Sequence, residues 1–376
     1  MNIAFLTSEY PPLCAGGIGT SIRNLAQALV GQGHTVTVLG WGAKAEFEDR
    51  GVQVRFLGHT SVPKAGWLLN RRLAQRELNR LVRRNKLDIV EVQDWCGLSA
   101  GMHLDCPVTI RCHGTATYFG YLLRERVRPT VRWAERIALN QAKSIIAVSR
   151  FTAETTQRLF GLREAIGVIP NGIDLLRFQP ADPDETEANT ILYLGTLVRK
   201  KGILDLCRIF SRVVDARPAA RLRLIGRDAR DKSTGSSSTW ELCKELLSPA
   251  ARERAEYVGA QPYDVVQDSI QRAAVCVFPS YAEALPLSWL EAMACAKPVV
   301  AYDIGWAPEI IDAGVSGILI KLGDVESFAE HLLTVLGDQA QAKGLGVAAR
   351  RRVERDFASA VVAESTLIHY RSVIAD

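Results

Sequence analysis

Two glutamates, Glu283 and Glu291, are the residues whose placement most invites chemistry. They fall in PSYAEALPLSWLEAMACAKPVVAY, residues 279–302, between two apolar runs that read as buried strands. Pro286 opens a short helix there, because a proline is tolerated in a first helical turn, where its missing N–H is not needed. Leu287, Leu290 and Ala294 recur at helical spacing and make its core face. Glu283 precedes the helix, where a carboxylate either caps the positive end of the helix dipole or meets a ligand. Glu291 lies inside the helix beside the core stripe, and buried glutamates are rare unless paired.

Three further groups offer anion or proton chemistry. Ala15-Gly16-Gly17-Ile18-Gly19-Thr20 follows the first strand and leads into a helix. Such glycines let a backbone approach a phosphate at a helix N-terminus, and the alternative is a tight turn that needs positive φ. A nicotinamide cofactor is disfavoured. The spacing is not G-x-G-x-x-G, and the second strand ends in Gly40-Trp41-Gly42, where an acidic residue for the ribose is expected. His113, in RCHGT, directly follows a strand, at the end of a parallel strand where ligands bind; a structural histidine is the alternative. Arg199-Lys200-Lys201-Gly202 follows the first strand of the second half. Three cations there either hold a diphosphate through charge-assisted bonds or form a solvated run before a helix.

A regular framework has to hold these groups. Strands are predicted at 2–7, 35–39, 52–57, 88–92, 108–111, 144–148 and 165–169, alternating with helices at 21–31, 67–84, 130–142 and from 152. The alternation argues a parallel sheet covered by helices on both faces. A polar, acidic connector at 180–189 precedes a second run of the same pattern, and 357–374 reads as an amphipathic helix. The polar run DARDKSTGSSST, residues 228–239, reads as a mobile surface loop.

A chain of 376 residues predicts two domains. No apolar run approaches the roughly 18–20 residues of a membrane span. The first residues read as a strand rather than a signal peptide. The eight cysteines include no C-x-x-C pair and sit mostly in apolar segments, which suits reduced thiols in a cytoplasm. Charge is uneven: up to Pro180 there are 23 Lys+Arg against 14 Asp+Glu, and beyond it 23 against 27. The excess concentrates at 64–86 and 124–136. The first of these is an amphipathic basic helix that either lies on an anionic membrane surface or covers the sheet with a solvated face. From Arg71 to Lys86 no aromatics interleave the cations, Trp67 alone preceding them, which argues against nucleic acid.

Taken together, the runs resemble the retaining glycosyltransferases of family 4, the glycosyl transferases group 1, over nearly the whole chain. They are SEYPPLCAGGIGT with NLAQALVGQGHTVTVL, HGT, VSRFTAE, IPNGID, LGTLVRKKG, PSYAEALPLSWLEAMACAKPVVA and PEIIDAGVSGILI, and Glu283 with Glu291 matches the E-x7-E element. The resemblance implies the GT-B architecture, an α/β fold of two Rossmann-like doubly wound domains facing across a cleft. Residues 1–172 would bind the acceptor and 173–355 the nucleotide sugar, with a C-terminal helix at 356–376 crossing back to the first domain.

The same resemblance implies roles. Gly16 and Gly17 would face the donor phosphates and acceptor, and His113 the donor sugar near the reacting carbon. Arg199 or Lys200, with Lys201, would neutralise the diphosphate. Glu283 would bind sugar hydroxyls, Glu291 the ribose hydroxyls, and Leu285 would belong to the donor-binding loop. The implied reaction moves a hexose from a UDP- or GDP-sugar to a hydroxyl of a glycan, lipid-linked or small-molecule acceptor. It proceeds by front-side displacement with retention, without metal or cofactor. A catalytically silent nucleotide-sugar-binding scaffold and a GT-B nucleotide-sugar epimerase are the alternatives. Three positions depart from the family pattern. Thr196 stands where an arginine is frequent, and Glu283-Ala284-Leu285-Pro286 replaces E-G-F-G. Trp306 replaces a small residue and is expected to narrow the sugar pocket or stack on the acceptor.

Overall fold

The apolar runs form two parallel sheets, and the amphipathic runs between them form the covering helices. The computed structural model describes residues 1–13, 16–58, 62, 66–84 and 86–375, apart from the side chain of Pro183. Cys14, Ala15 of the glycine cluster and Lys64 of the basic stretch lie outside the described residues. The chain divides into two units, Met1–Gly172 with Ala358–Asp376, and Ile173–Phe357.

The first unit runs β1 (Asn2–Thr7), α1 (Gly17–Gly31), β2 (Thr35–Gly42), β3 (Ala45–Asp49), β4 (Val52–Gly58), α2 (Gly66–Arg83), β5 (Ile89–Gln93), β6 (Val108–Cys112), α3 (Ala116–Leu123), α4 (Pro129–Gln141), β7 (Ser144–Ala147), α5 (Arg150–Phe160) and β8 (Gly167–Val168). The strand order is β3-β4-β2-β1-β5-β6-β7-β8, parallel except for the β3–β4 hairpin. The second unit runs β9 (Glu187–Leu194), α6 (Ile203–Ala216), β10 (Arg221–Ile225), α7 (Thr239–Leu246), α8 (Pro249–Arg254), β11 (Ala255–Gly259), α9 (Tyr263–Arg272), β12 (Ala273–Phe278), α10 (Leu287–Ala294), β13 (Val299–Asp303), α11 (Ala307–Ile310), β14 (Ile318–Lys321), α12 (Val325–Gly337) and α13 (Gln339–Asp356). Its parallel order is β11-β10-β9-β12-β13-β14. The last helix, α14 (Ser359–Ala375), belongs to the first unit.

Both sheets are doubly wound. Strand order reverses between β1 and β5 in the first and between β9 and β12 in the second. Outside the carboxyl ends of such strand pairs a crevice opens, which is where ligands bind in this class of sheet. In the first unit α1 and α14 pack on one side, through Ile22, Leu25, Val362 and Tyr370, and α2, α4 and α5 on the other, through Leu78, Leu139 and Phe160. A buried ion pair ties α14 to the sheet. Arg111 donates to Glu91 at 2.8 and 3.0 Å and to Thr366 at 3.1 Å, while Tyr370 donates to Glu91 at 2.7 Å. Removing either charge would leave the other buried and unpaired.

Several elements differ from the sequence reading. The strand β3 was not expected, because its charge-rich AEFED suits an exposed sheet edge rather than a core. The short α3 and edge strand β11 lack a clear period, and α13 is polar on most faces. Much of the connector at 180–189 is structured, since β9 begins at Glu187. The polar 228–239 run is corrected from a mobile loop to a hydrogen-bonded one. Asp228 accepts from Ser238 Oγ at 2.6 Å and from the backbone of Thr239 at 2.9 Å, and Asp231 accepts from Thr234 N at 2.9 Å.

Candidate active site

In the first unit the candidates gather where β1, β5 and β6 end. Asp94 follows β5 and is buried, and its Oδ1 accepts from the backbone N–H of His113 at 3.0 Å. Its Oδ2 is buried without a hydrogen-bond partner among the described residues. Burial pushes the Asp94 carboxyl up to about 7. Burial and then the nearby Arg111 charge push His113 down to about 3, so its imidazole is neutral at ordinary pH. The turn after His113 requires a glycine, since Gly114 has a φ of +95° and a side chain there would press on Phe119 and Tyr118. Thr115 then caps α3 by accepting from Tyr118 N at 2.9 Å. Buried Glu135 accepts from Ala116 N at 2.8 Å and Thr117 N at 3.2 Å, which completes that helix end.

Gly16 is the N-cap of α1 and Gly17 its first residue. The space beside Gly16 holds the Glu9 carboxylate, which a side chain at Gly16 would overlap, whereas Gly17 is open. The anion at this positive helix end is therefore the chain's own. A phosphate seated there would face a like charge, while a hydroxyl would find an acceptor.

In the second unit the site forms at the β9–β12 switch point. Arg199–Lys201 is a single 3-10 turn after β9. It is seated against the loop after β12, with Lys200 O accepting from Tyr281 N at 2.8 Å and Ala282 N at 3.3 Å. Gly202, with a φ of +68°, allows this, because a side chain there would overlap the carbonyl of Pro279. Asp205, in the first turn of α6, accepts from the hydroxyls of Tyr281 and Tyr302 and from Arg208, and so pins the same loop.

The three cations of the turn then part ways. Lys201 Nζ lies 2.7 Å from Glu283 Oε1. Burial alone would raise the Glu283 carboxyl, but the Lys201 and Lys200 charges outweigh it and hold it below the usual range. Arg199 instead makes a two-pronged pair with Asp231, at 2.6 and 3.0 Å. Leu285 is buried in the loop leading to α10, and Glu291 is buried one turn into that helix. Burial pushes the Glu291 carboxyl up to about 7, against the lowering influence of Arg177, Lys201 and a hydrogen bond from Tyr263. The Arg177 guanidinium stacks over the Tyr263 ring at 4.6 Å.

Trp306 is corrected by this geometry. It lies fully buried against Trp289, with ring centroids 4.7 Å apart, and its Nε1 donates to the Glu283 carbonyl at 2.8 Å. It cannot stack on an acceptor, and it acts on the site by holding the Glu283 loop.

Comparison with known proteins fits this arrangement. The chain matches Glycosyltransferase Family 4 over residues 15–177 and Glycosyl transferases group 1 over residues 177–352. The chain belongs to the family 4, group 1 glycosyltransferases. It is 26% identical to alpha-maltose-1-phosphate synthase of Mycolicibacterium smegmatis over all of both chains. It is 24% identical to a GDP-mannose-dependent monoacylated alpha-(1-6)-phosphatidylinositol monomannoside mannosyltransferase of Corynebacterium glutamicum, covering 76% of each. Sucrose-phosphate synthase from Thermosynechococcus elongatus shares the fold with a TM-score of 0.82 at 22% identity over 99% of both chains. HepE from Anabaena, in complex with UDP and glucose, does so with a TM-score of 0.78 at 17% identity over 99% of this chain and 100% of that one. The GT-B fold and glycosyltransferase activity with a nucleotide-sugar donor follow for this chain.

Sequence reasoning singled out the glycosyltransferase's Lys201, Glu283 and Glu291 but not Asp94, Asp205, Asp231 or Tyr263. Of these, only Asp94 left a signal, an acidic residue directly after a strand, in Gln93-Asp94-Trp95.

Proposed function

We propose that this glycosyltransferase moves a hexose, with retention and without a metal, from a UDP- or GDP-sugar to an acceptor hydroxyl. The observation that carries the reading is the pair of half-buried Lys201 with buried Glu283, beside buried Glu291, at the switch point of the second unit. The UDP and glucose bound by HepE, and the GDP-mannose dependence of the Corynebacterium relative, support a hexose donor of one of these two kinds. The acceptor is a glycan, a lipid-linked sugar or a small molecule. The cysteine pattern supports a cytoplasmic setting.

In this reading Lys201, with Lys200, neutralises charge that develops on the leaving diphosphate. Glu283 accepts from sugar hydroxyls and Glu291 from ribose hydroxyls, as carboxylates do. His113, being neutral, contacts the donor sugar as a hydrogen-bonding group and not as an acid. The bond from the anomeric carbon to the phosphate oxygen breaks as the acceptor oxygen bonds on the same face. The departing phosphate oxygen takes the acceptor proton, so no protein base is required.

A thermal-shift panel of UDP-, GDP- and ADP-sugars tests the donor, with Glu291→Ala alongside. A ligand at a hundred times its Kd stabilises by about 2.7 kcal/mol. The expected result is a shift with one nucleotide class, lost in the variant, followed by an α-linked product from an α-linked donor. Donor binding without any glycoside product would return the reading to a silent scaffold, and an altered donor sugar formed without acceptor would return it to an epimerase.

A further inference from the structure

The two arginine-rich stretches of the first unit lie far apart in sequence, and the topology brings them to one face. Ala74 and Leu78 of α2 and Ala138 and Leu139 of α4 join a single core cluster on the same side of the sheet. The turn Trp95–Gly97 is wedged between the two helices. Arg71 of α2 donates to the Gly97 carbonyl at 2.7 Å, and a side chain at Gly97 would overlap the backbone of Ala134 in α4.

The buried side of α2 is occupied by the unit's own core, and its outward side presents arginines beside the exposed apolar side chains of Trp67, Leu68 and Leu73. Arg72 and Arg76 on α2, and Arg128 and Arg132 at the start of α4, are exposed and have no side-chain partner among the described residues. Two indoles stand among them, Trp67 at 52% and Trp133 at 62% exposure. A single exposed tryptophan means little, but indoles set among guanidiniums are the composition of a membrane–water interface. The cations are spread along two helices rather than converging on one point, which suits a sheet of negative charge better than a discrete anion.

We propose that this α2–α4 face docks on an anionic phospholipid surface, held by the arginines with Trp67 and Trp133 in the headgroup layer. The proposal does not depend on which donor or acceptor the enzyme uses.

The test is sedimentation of the full chain with vesicles of phosphatidylcholine, with and without phosphatidylglycerol, with tryptophan emission read in parallel. Binding is expected only to the anionic vesicles, with a blue shift of emission and release at high salt. Charge reversal at Arg72, Arg76, Arg128 and Arg132 should abolish it. Trp67→Ala with Trp133→Ala should weaken it by tenfold or more although no charge changes. Both variants should keep the wild-type melting temperature and its shift with donor nucleotide, which separates loss of docking from loss of fold or donor site. Failure to sediment with either vesicle overturns the proposal. So does anionic-vesicle binding that the tryptophan variant leaves unchanged, which would mark a general polyanion surface instead.

Discussion

Arg199 donates through Nε and Nη2 to both carboxylate oxygens of Asp231, at 2.6 and 3.0 Å, and so commits the first cation of the Arg-Lys-Lys turn to the loop after β10. Those bonds, with Thr234 adding two more, hold the Asp231 carboxyl well below the usual carboxylate range. In the proposed reading Arg199 positions the turn, and Lys201 with Lys200 meets the phosphate. Arg199→Ala and Asp231→Asn should lower donor affinity to the same extent, and the double variant no further. Each should also lose stability on the order of 1.5–3 kcal/mol, the range for hydrogen bonds to a charged group. A loss of donor binding confined to Arg199→Ala would make Arg199 a direct phosphate ligand.

Lys201 and Glu283 test stability and catalysis separately. Lys201→Ala takes from the buried Glu283 its strongest compensating charge and leaves the weaker influence of Lys200, with an expected cost of up to about 3–5 kcal/mol. It should also reduce kcat by about 10²–10³-fold, as loss of one charge-stabilising group does. Adding Glu283→Gln should recover part of the melting temperature and none of the turnover. Recovery of both would show that Lys201 serves only to neutralise Glu283.

The raised Glu291 carboxyl has a signed consequence for pH. Its native value is pushed to about 7 from an ordinary 4.5, so the native state holds an extra proton between those values. Stability from this group is thus highest at low pH and falls as pH rises through that window. Nucleotide binding should run the other way, since ribose hydroxyls donate best to the ionised carboxylate. Donor affinity, measured by calorimetry between about pH 6 and about pH 8, should rise with pH in the wild type and be flat in Glu291→Gln. Asp94 is also raised to about 7, so Asp94→Asn is the necessary control. A slope that survives in Glu291→Gln and vanishes in Asp94→Asn would assign the titration to the first unit.

Trp306→Phe removes the hydrogen bond to the Glu283 carbonyl while keeping an aromatic ring. The expected cost is about 0.5–1.5 kcal/mol for the bond, with a further loss for the space left behind. Turnover should fall because the Glu283 loop loses its anchor, with acceptor KM unchanged because the indole is buried. A change in acceptor KM alone would restore the indole as an acceptor contact.

The alternation of buried strands and one-sided helices was legible because periodicity is local, and it led to two doubly wound sheets with most element positions within a few residues. Edge elements were not legible. Strand β3 and strand β11 owe their pairing to a neighbour and carry little apolar pattern of their own. The residue types needed at the site were legible too, with Lys201 after β9, Glu283 before α10 and Glu291 inside it. How those charges divide was not. Arg199, Lys200 and Lys201 are equivalent in a string of letters. Only the chain folding Asp231 back to Arg199, and Glu283 to Lys201, makes them different, through contacts spanning 32 and 82 positions. The same holds for Trp306, whose type suggested a pocket wall until packing against Trp289 buried it. Sequence by itself determined the periodic framework and the chemical groups available, because both rest on side-chain type and short-range spacing. Tertiary structure alone decided which charge neutralises which and which arginines find no partner among the described residues, because partner choice depends on long-range closure of the chain.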